Sequence, residues 1–104
     1  MGIRLIVSQM EHPQGFRLAG ELDISSAPEL SDSLEPVLRR GGDVTLDLSD
    51  LSFMDSTGLQ VLIRTAIRMD GNGRLILRSP GNLVRSILVL ALHTDKLPNL
   101  VVED

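Results

Sequence analysis

The 104-residue chain is predicted to be a mixed α/β fold, a sheet of four to five strands with helices mainly on one face. Three observations predict this. Apolar residues alternate in short runs, the period of a half-buried strand, over 3–8, 16–22 and 44–48, and form a short continuous run at 75–77. Between these runs they recur at helical spacing, as in Leu30, Leu34, Val37 and Leu38. Turn-forming clusters punctuate the two periods: Pro13-Gln14-Gly15, Gly41-Gly42 and Asp70-Gly71-Asn72-Gly73. The resulting order is β-β-α-β-α-β-α-β. Strand–helix alternation implies parallel neighbours joined by helical crossovers, and the initial β-β step adds an antiparallel pair. Each helix has one apolar stripe, hence one helix layer. Residues 1–104 read as a single domain, a size that folds without metal or disulfide support.

Each element has a local reason. Ile3, Leu5 and Val7 share one face of the first strand, and Phe16, Leu18, Gly20 and Leu22 one face of the second, across a turn at 11–15. The first helix starts at Ser25-Ser26-Ala27-Pro28-Glu29. Ser26 and Glu29 have the spacing of a reciprocal capping box, and Pro28 sits in the first turn, where an N–H is dispensable. Pro36 is expected to kink or split this helix near Glu35. Arg39 and Arg40 suit its C-terminal dipole, and Gly41-Gly42 end it. Val44, Leu46 and Leu48 form a third strand, followed by a polar corner over 49–56. The second helix buries Leu59, Leu62, Ile63, Ala66 and Ile67, with Gln60, Arg64 and Arg68 outward, the two arginines as solvated charges or, alternatively, as contacts for acidic residues of a partner. Leu75-Ile76-Leu77 is the fourth strand. Ser79-Pro80 opens a third helix with Val84, Ile87, Leu88 and Ala91 inward, and 97–102 closes the sheet.

Composition removes several function classes. There is no cysteine, so thiol catalysis, disulfides and cysteine-based zinc sites are excluded. The net charge is −4 and the aromatics are two Phe, which argues against a nucleic-acid partner that needs phosphate contacts and stacking platforms. His12 and His93 are isolated, so no metal and no cofactor is expected. No run has the length of a membrane span and the N-terminus lacks a signal-peptide layout, so the expected location is the cytoplasm, with no membrane partner. Met54 stands where a nucleophile elbow of Gly-x-Ser-x-Gly form needs its first glycine, and no Walker-type phosphate loop exists. The chain is therefore not expected to be an enzyme.

The corner Phe53-Met54-Asp55-Ser56-Thr57-Gly58-Leu59 joins the third strand to the most regular helix. There, hydroxyls and a carboxylate meet unpaired N–H groups and the positive end of the helix dipole. By chemistry alone Asp55, Ser56 or Thr57 is a helix cap.

The segment Leu46-Asp47-Leu48-Ser49-Asp50-Leu51-Ser52-Phe53-Met54-Asp55-Ser56-Thr57-Gly58-Leu59-Gln60-Val61-Leu62 resembles the signature of the STAS domain, named for sulfate transporters and anti-sigma factor antagonists. Gly20-Glu21-Leu22-Asp23 followed by Ala27-Pro28 resembles a second landmark, and the element order is similar throughout. The likeness departs at Leu92, where relatives usually carry Gly. It implies a STAS-like fold and an anti-sigma factor antagonist. Ser56 would be the phosphoacceptor of a partner that is both serine kinase and anti-sigma factor. Asp55 and Asp23, with Thr57 and Gly58, would lie at the partner and kinase contact. The unphosphorylated form would bind that partner and free its sigma factor; the phosphorylated form would let go, and a serine phosphatase would reset it. The alternative the resemblance leaves open is a non-phosphorylated STAS scaffold or a small-ligand, perhaps nucleotide-binding, module.

Overall fold

The computed structural model describes residues 4–94 and 97–104. Strands β1 (Ile6–Met10), β2 (Gly15–Leu22), β3 (Val44–Met54), β4 (Leu75–Arg78) and β5 (Leu100–Glu103) form one sheet in the order β1-β2-β3-β4-β5. β1 and β2 pair antiparallel; every later pair is parallel. Helices α1 (Ala27–Arg40), α2 (Ser56–Met69) and α3 (Asn82–Thr94) are the crossovers. The mixed sheet and three helices are those expected from the two periodicities.

The pleat sorts the side chains. Phe16, Leu18 and Leu22 of β2, Val44, Leu46 and Leu48 of β3, and Leu75 and Leu77 of β4 point into one core with residues of all three helices, including Leu30, Leu62 and Leu88. The helices thus share one sheet face. The other face carries a row of alternating charge: Arg17, Asp47, Arg78 and Glu103 occupy matching positions on β2, β3, β4 and β5. Arg17 lies 3.5 Å from Asp47, and Arg78 3.5 Å from Glu103. Opposite charges directly across parallel neighbours attract where no helix covers them.

Several elements differ from expectation for identifiable reasons. The first strand runs Ile6–Met10 rather than 3–8; Leu5 and Val7 do face the core, while Ile3 lies outside the described residues. The final strand is likewise Leu100–Glu103 rather than 97–102. α1 is continuous through Pro36 instead of splitting there. Pro36 is on the exposed side of the helix, where water can serve the carbonyl that its missing N–H leaves unpaired.

Ser26 makes no side-chain cap. Its buried hydroxyl instead donates to the Glu21 carbonyl at 3.0 Å and accepts from the Asp23 N–H at 2.9 Å. Glu29, freed from any capping box, pairs with Arg4 at 2.8 Å.

The polar stretch 49–56 is mostly strand: β3 continues to Met54, pairing with Ala19 to Leu22 through two register shifts. The Ser52 hydroxyl donates to the Gly20 carbonyl at 3.0 Å within that irregular stretch. Finally, the buried stripe of α2 is rotated from the expected one. Val61, Thr65 and Met69 join Leu62 and Ala66 inside, while Ile67 is 56% exposed. Thr65 can be buried because its hydroxyl donates to the Val61 carbonyl at 2.7 Å, one turn back.

Among the described residues, four carboxyls sit below their usual range. Ser49, through its N–H and hydroxyl, does this to Asp47, with Arg17 assisting. Arg74 acts on Asp43, Arg68 on Glu35, and the Ser25 hydroxyl on Asp23. Each binds its proton less readily in the folded chain than in the unfolded one. The stability they contribute is therefore complete above about pH 5 and lost as pH falls through the depressed folded values. We expect the urea midpoint to drop between about pH 5 and about pH 3, and Asp47→Asn to remove part of that drop. A midpoint independent of pH over this interval would contradict the linkage.

Candidate functional site

The end of β2 and the start of α2 approach each other closely, and this contact builds the site. The Asp55 N–H donates to the Leu22 carbonyl at 3.2 Å. Gly58 packs against Leu22 so tightly that a Cβ on it would lie 2.7 Å from Leu22 Cγ and 2.8 Å from the Leu22 carbonyl oxygen. The helix start can thus sit on the strand end only because position 58 has no side chain.

Asp55 is the N-cap. It has extended backbone angles, and Oδ1 accepts the Gly58 N–H at 3.0 Å. Its other oxygen, Oδ2, accepts the Ile24 N–H at 3.2 Å. One carboxylate therefore ties α2 to the loop between β2 and α1. That loop presents Ile24 to solvent at 72% exposure.

Capping is thus the task of Asp55, not of Ser56 or Thr57. Ser56 is the first residue of α2 and is exposed; its hydroxyl makes no hydrogen bond to any described residue. Thr57 is half-buried beside it and Gly58 is buried beneath. Asp23 lies on the same loop as Ile24, but its carboxylate turns inward on its own turn. Oδ1 accepts from the N–H and hydroxyl of Ser25, at 3.0 and 2.7 Å, and from the Ser26 N–H at 3.1 Å. Asp23 therefore shapes the loop beside the corner, while Asp55 makes the direct link between loop and helix.

An open groove of about 560 Å³ runs from Ser56 between α1 and α2. Ile24, Pro28 and Asp32 line one wall; Thr57, Gln60 and Arg64 line the other, with Val61 on the floor. It continues into a smaller hollow that ends at Glu35 and Arg68. Arg68 is not a solvated charge as its outward position predicted: it grips Glu35 with two hydrogen bonds of 2.7 and 3.1 Å. This groove was not foreseen, since it depends on how two helices pack side by side. The exposed Ile24 amid polar loop residues was its one visible sign. Among the described residues no group of three or more histidine, aspartate or glutamate side chains could hold a metal ion. His12 is in the exposed turn before β2, and the side chain of His93 lies outside the described residues. Among the described residues, no helix is long and apolar enough to cross a membrane.

A mixed sheet with one helix layer thus carries an unbonded hydroxyl at a capped helix start beside an open groove. The chain belongs to the STAS family: the family model described as Mlab, STAS domain matches residues 6–100. An anti-sigma-B factor antagonist of Bacillus subtilis is 43% identical over 65 residues, covering 62% of this chain and 60% of that protein. The chain spans about three fifths of the length of that curated relative. Two solved structures share the fold. SpoIIAA, an anti-sigma factor antagonist in its unphosphorylated form, matches with a TM-score of 0.70 at 19% identity, over 96% of this chain and 87% of that one. The Bacillus cell fate determinant SpoIIAA in its phosphorylated form matches with a TM-score of 0.66 at 18% identity, over 94% and 89%.

Proposed function

We propose that residues 1–104 are a single STAS domain acting in the cytoplasm as an anti-sigma factor antagonist, switched at Ser56. The unphosphorylated chain binds an anti-sigma factor that is also a serine kinase, and so frees a sigma factor. Phosphorylation of Ser56 ends that binding, and a serine phosphatase restores it. The observation that carries this reading is the Ser56 hydroxyl itself. It is exposed and unbonded because Asp55 has taken the cap, so its modification breaks no internal contact. The relatives' names and the existence of a phosphorylated SpoIIAA structure support the same reading.

The physics of the switch is local. A phosphate adds about −1.5 to −2 charges at neutral pH. At the first position of α2 that charge faces free N–H groups and the positive end of the dipole, so the fold tolerates it. Asp55 and Thr57 would meet the partner beside the new dianion, while Asp23 shapes the adjoining loop and buried Gly58 seats the helix start that presents Ser56. The proposal is tested by incubating the chain with ATP and an anti-sigma kinase, then measuring intact mass. One phosphoryl group is expected on the native chain and none on Ser56→Ala. A phosphoryl group that persists in Ser56→Ala places the acceptor elsewhere. Stable binding with no phosphoryl transfer favours a scaffold that is never phosphorylated.

A further inference from the structure

We propose that the groove between α1 and α2 is a charge-coded recognition site for a segment of the anti-sigma partner. That segment brings an apolar side chain to Ile24 and Val61, a carboxylate to Arg64 and a cation to Asp32. This deepens the antagonist reading and rests on it. Ser56 reports whether the partner can dock; the groove would hold a segment of the docked partner.

The argument begins with unpaired charge. Among the described residues, Arg40 and Arg64 are the arginines without an ion pair. Arg40 is at the far end of α1, whereas Arg64 lines the groove that starts at Ser56. Arg68, one turn beyond, shows what this helix face does when an acid is available: it takes Glu35 in a two-pronged grip. Arg64 makes no ion pair with any described acid. Asp32, on the α1 wall of the same groove, likewise has no ion pair among the described residues. The groove therefore offers one free cation and one free anion on facing walls. A surface that satisfies both must carry the two opposite charges in the reverse arrangement, which is a positional requirement that net charge alone does not impose.

The second element is apolar. Ile24 is 72% exposed at the mouth of the groove, and Val61 forms its floor at 8% exposure. Ile24 does not drift, because its N–H is held by Asp55 Oδ2. A large apolar side chain on a tethered loop loses little conformational freedom when covered, the property of an interface anchor. Arg64 is eight residues from Ser56, so the groove reaches roughly 12 Å along α2 from the acceptor, given 1.5 Å of rise per residue. A two-turn helical or extended segment fits that length.

The test uses the anti-sigma-B factor of Bacillus subtilis, the protein opposed by a 43% identical relative, as probe. Binding is measured by calorimetry for the intact chain and for Arg64→Glu, Arg64→Lys, Asp32→Lys, Ile24→Ala and Ser56→Asp. The native chain is expected to bind. Arg64→Glu, Asp32→Lys and Ile24→Ala should each lose at least tenfold in affinity, and Arg64→Lys should lose less than Arg64→Glu because it keeps the charge but not the planar two-pronged donor. The two charge reversals should lose less at high salt. All four groove side chains are free of internal contacts or surface-exposed, so unchanged thermal midpoints separate lost binding from lost folding.

If the native chain does not bind the probe, both the antagonist reading and the groove fail. If Ser56→Asp abolishes binding while Arg64→Glu and Asp32→Lys do not weaken it, the switch stands and the groove proposal is overturned. If the groove variants weaken binding and Ser56→Asp does not, the groove stands and the switch falls. A dimer of the chain that Arg64→Glu dissolves, seen by sedimentation, would assign the groove to a second copy and overturn the partner assignment.

Discussion

Gly58→Ala is expected to lower the thermal midpoint by several degrees, although alanine is the better helix former. A Cβ at this position would meet the Leu22 Cγ at 2.7 Å and the Leu22 carbonyl oxygen at 2.8 Å. The leucine side chain is fully buried and the oxygen is backbone, so neither can yield freely. Forcing extra volume into such a contact costs about 1–3 kcal/mol. The helix preference of alanine over glycine returns at most about 1 kcal/mol, and less in a first turn. The net loss of roughly 1–2 kcal/mol corresponds to about 5–10 °C for a domain of this size. A calorimetric scan decides it: a midpoint equal to or above the native one would mean that α2 can lift from β2 at no cost. In that event the Asp55 tie to Leu22 and Ile24 is not a rigid one, and the corner is softer than its hydrogen bonds imply.

The second large effect is on binding. Ser56→Asp is expected to weaken the complex with an anti-sigma factor by at least tenfold, and true phosphorylation by about a hundredfold or more, since a desolvated unpaired charge at an interface costs several kcal/mol. The same substitution should leave the fold intact, because an acid in the first turn of a helix is favoured by up to about 1 kcal/mol. Repulsion from Asp55, the preceding residue, offsets part of that gain. Titration calorimetry beside circular dichroism separates the two. Unchanged affinity with a native spectrum would sink the electrostatic switch. Lost affinity with a lost spectrum would show that the charge acts by unfolding the corner.

Most of the architecture was legible because it rests on periodicity. Alternation at Phe16, Leu18 and Leu22, and helical spacing at Leu30, Leu34 and Val37, both mark faces that the folded chain buries. What was misread depends on contacts between residues far apart. The face of α2 was set by packing against α1 and the sheet. That packing selected Val61, Thr65 and Met69 over Ile67, and a buried threonine is invisible until its hydroxyl is seen bonding one turn back. Ser26 and Glu29 have the spacing of a capping box, yet each found a better partner elsewhere, in Glu21 and Arg4. The strand reading stopped at Leu48 because Ser49, Asp50 and Ser52 look like loop. The ladder to β2 continues through them by bulging. At the site, spacing located the corner but could not divide its labour. Asp55 and Ser56 are equivalent candidates for a cap until the carboxylate is seen holding Gly58 and Ile24, which leaves the hydroxyl free.

The strand order bears on how the chain acquires its structure. Because the sheet runs β1-β2-β3-β4-β5, every strand pairs with its neighbour in sequence, and no strand waits for a distant partner. The β1–β2 hairpin needs no crossover, and each parallel ladder closes as soon as one crossover helix has been made, a contact pattern that favours rapid folding for an α/β sheet. During synthesis, β2, α1, β3 and α2 can assemble before β4 leaves the ribosome. The β2–α2 contact that holds Ser56 belongs to that early portion, so the acceptor corner is built before the last strand is in place.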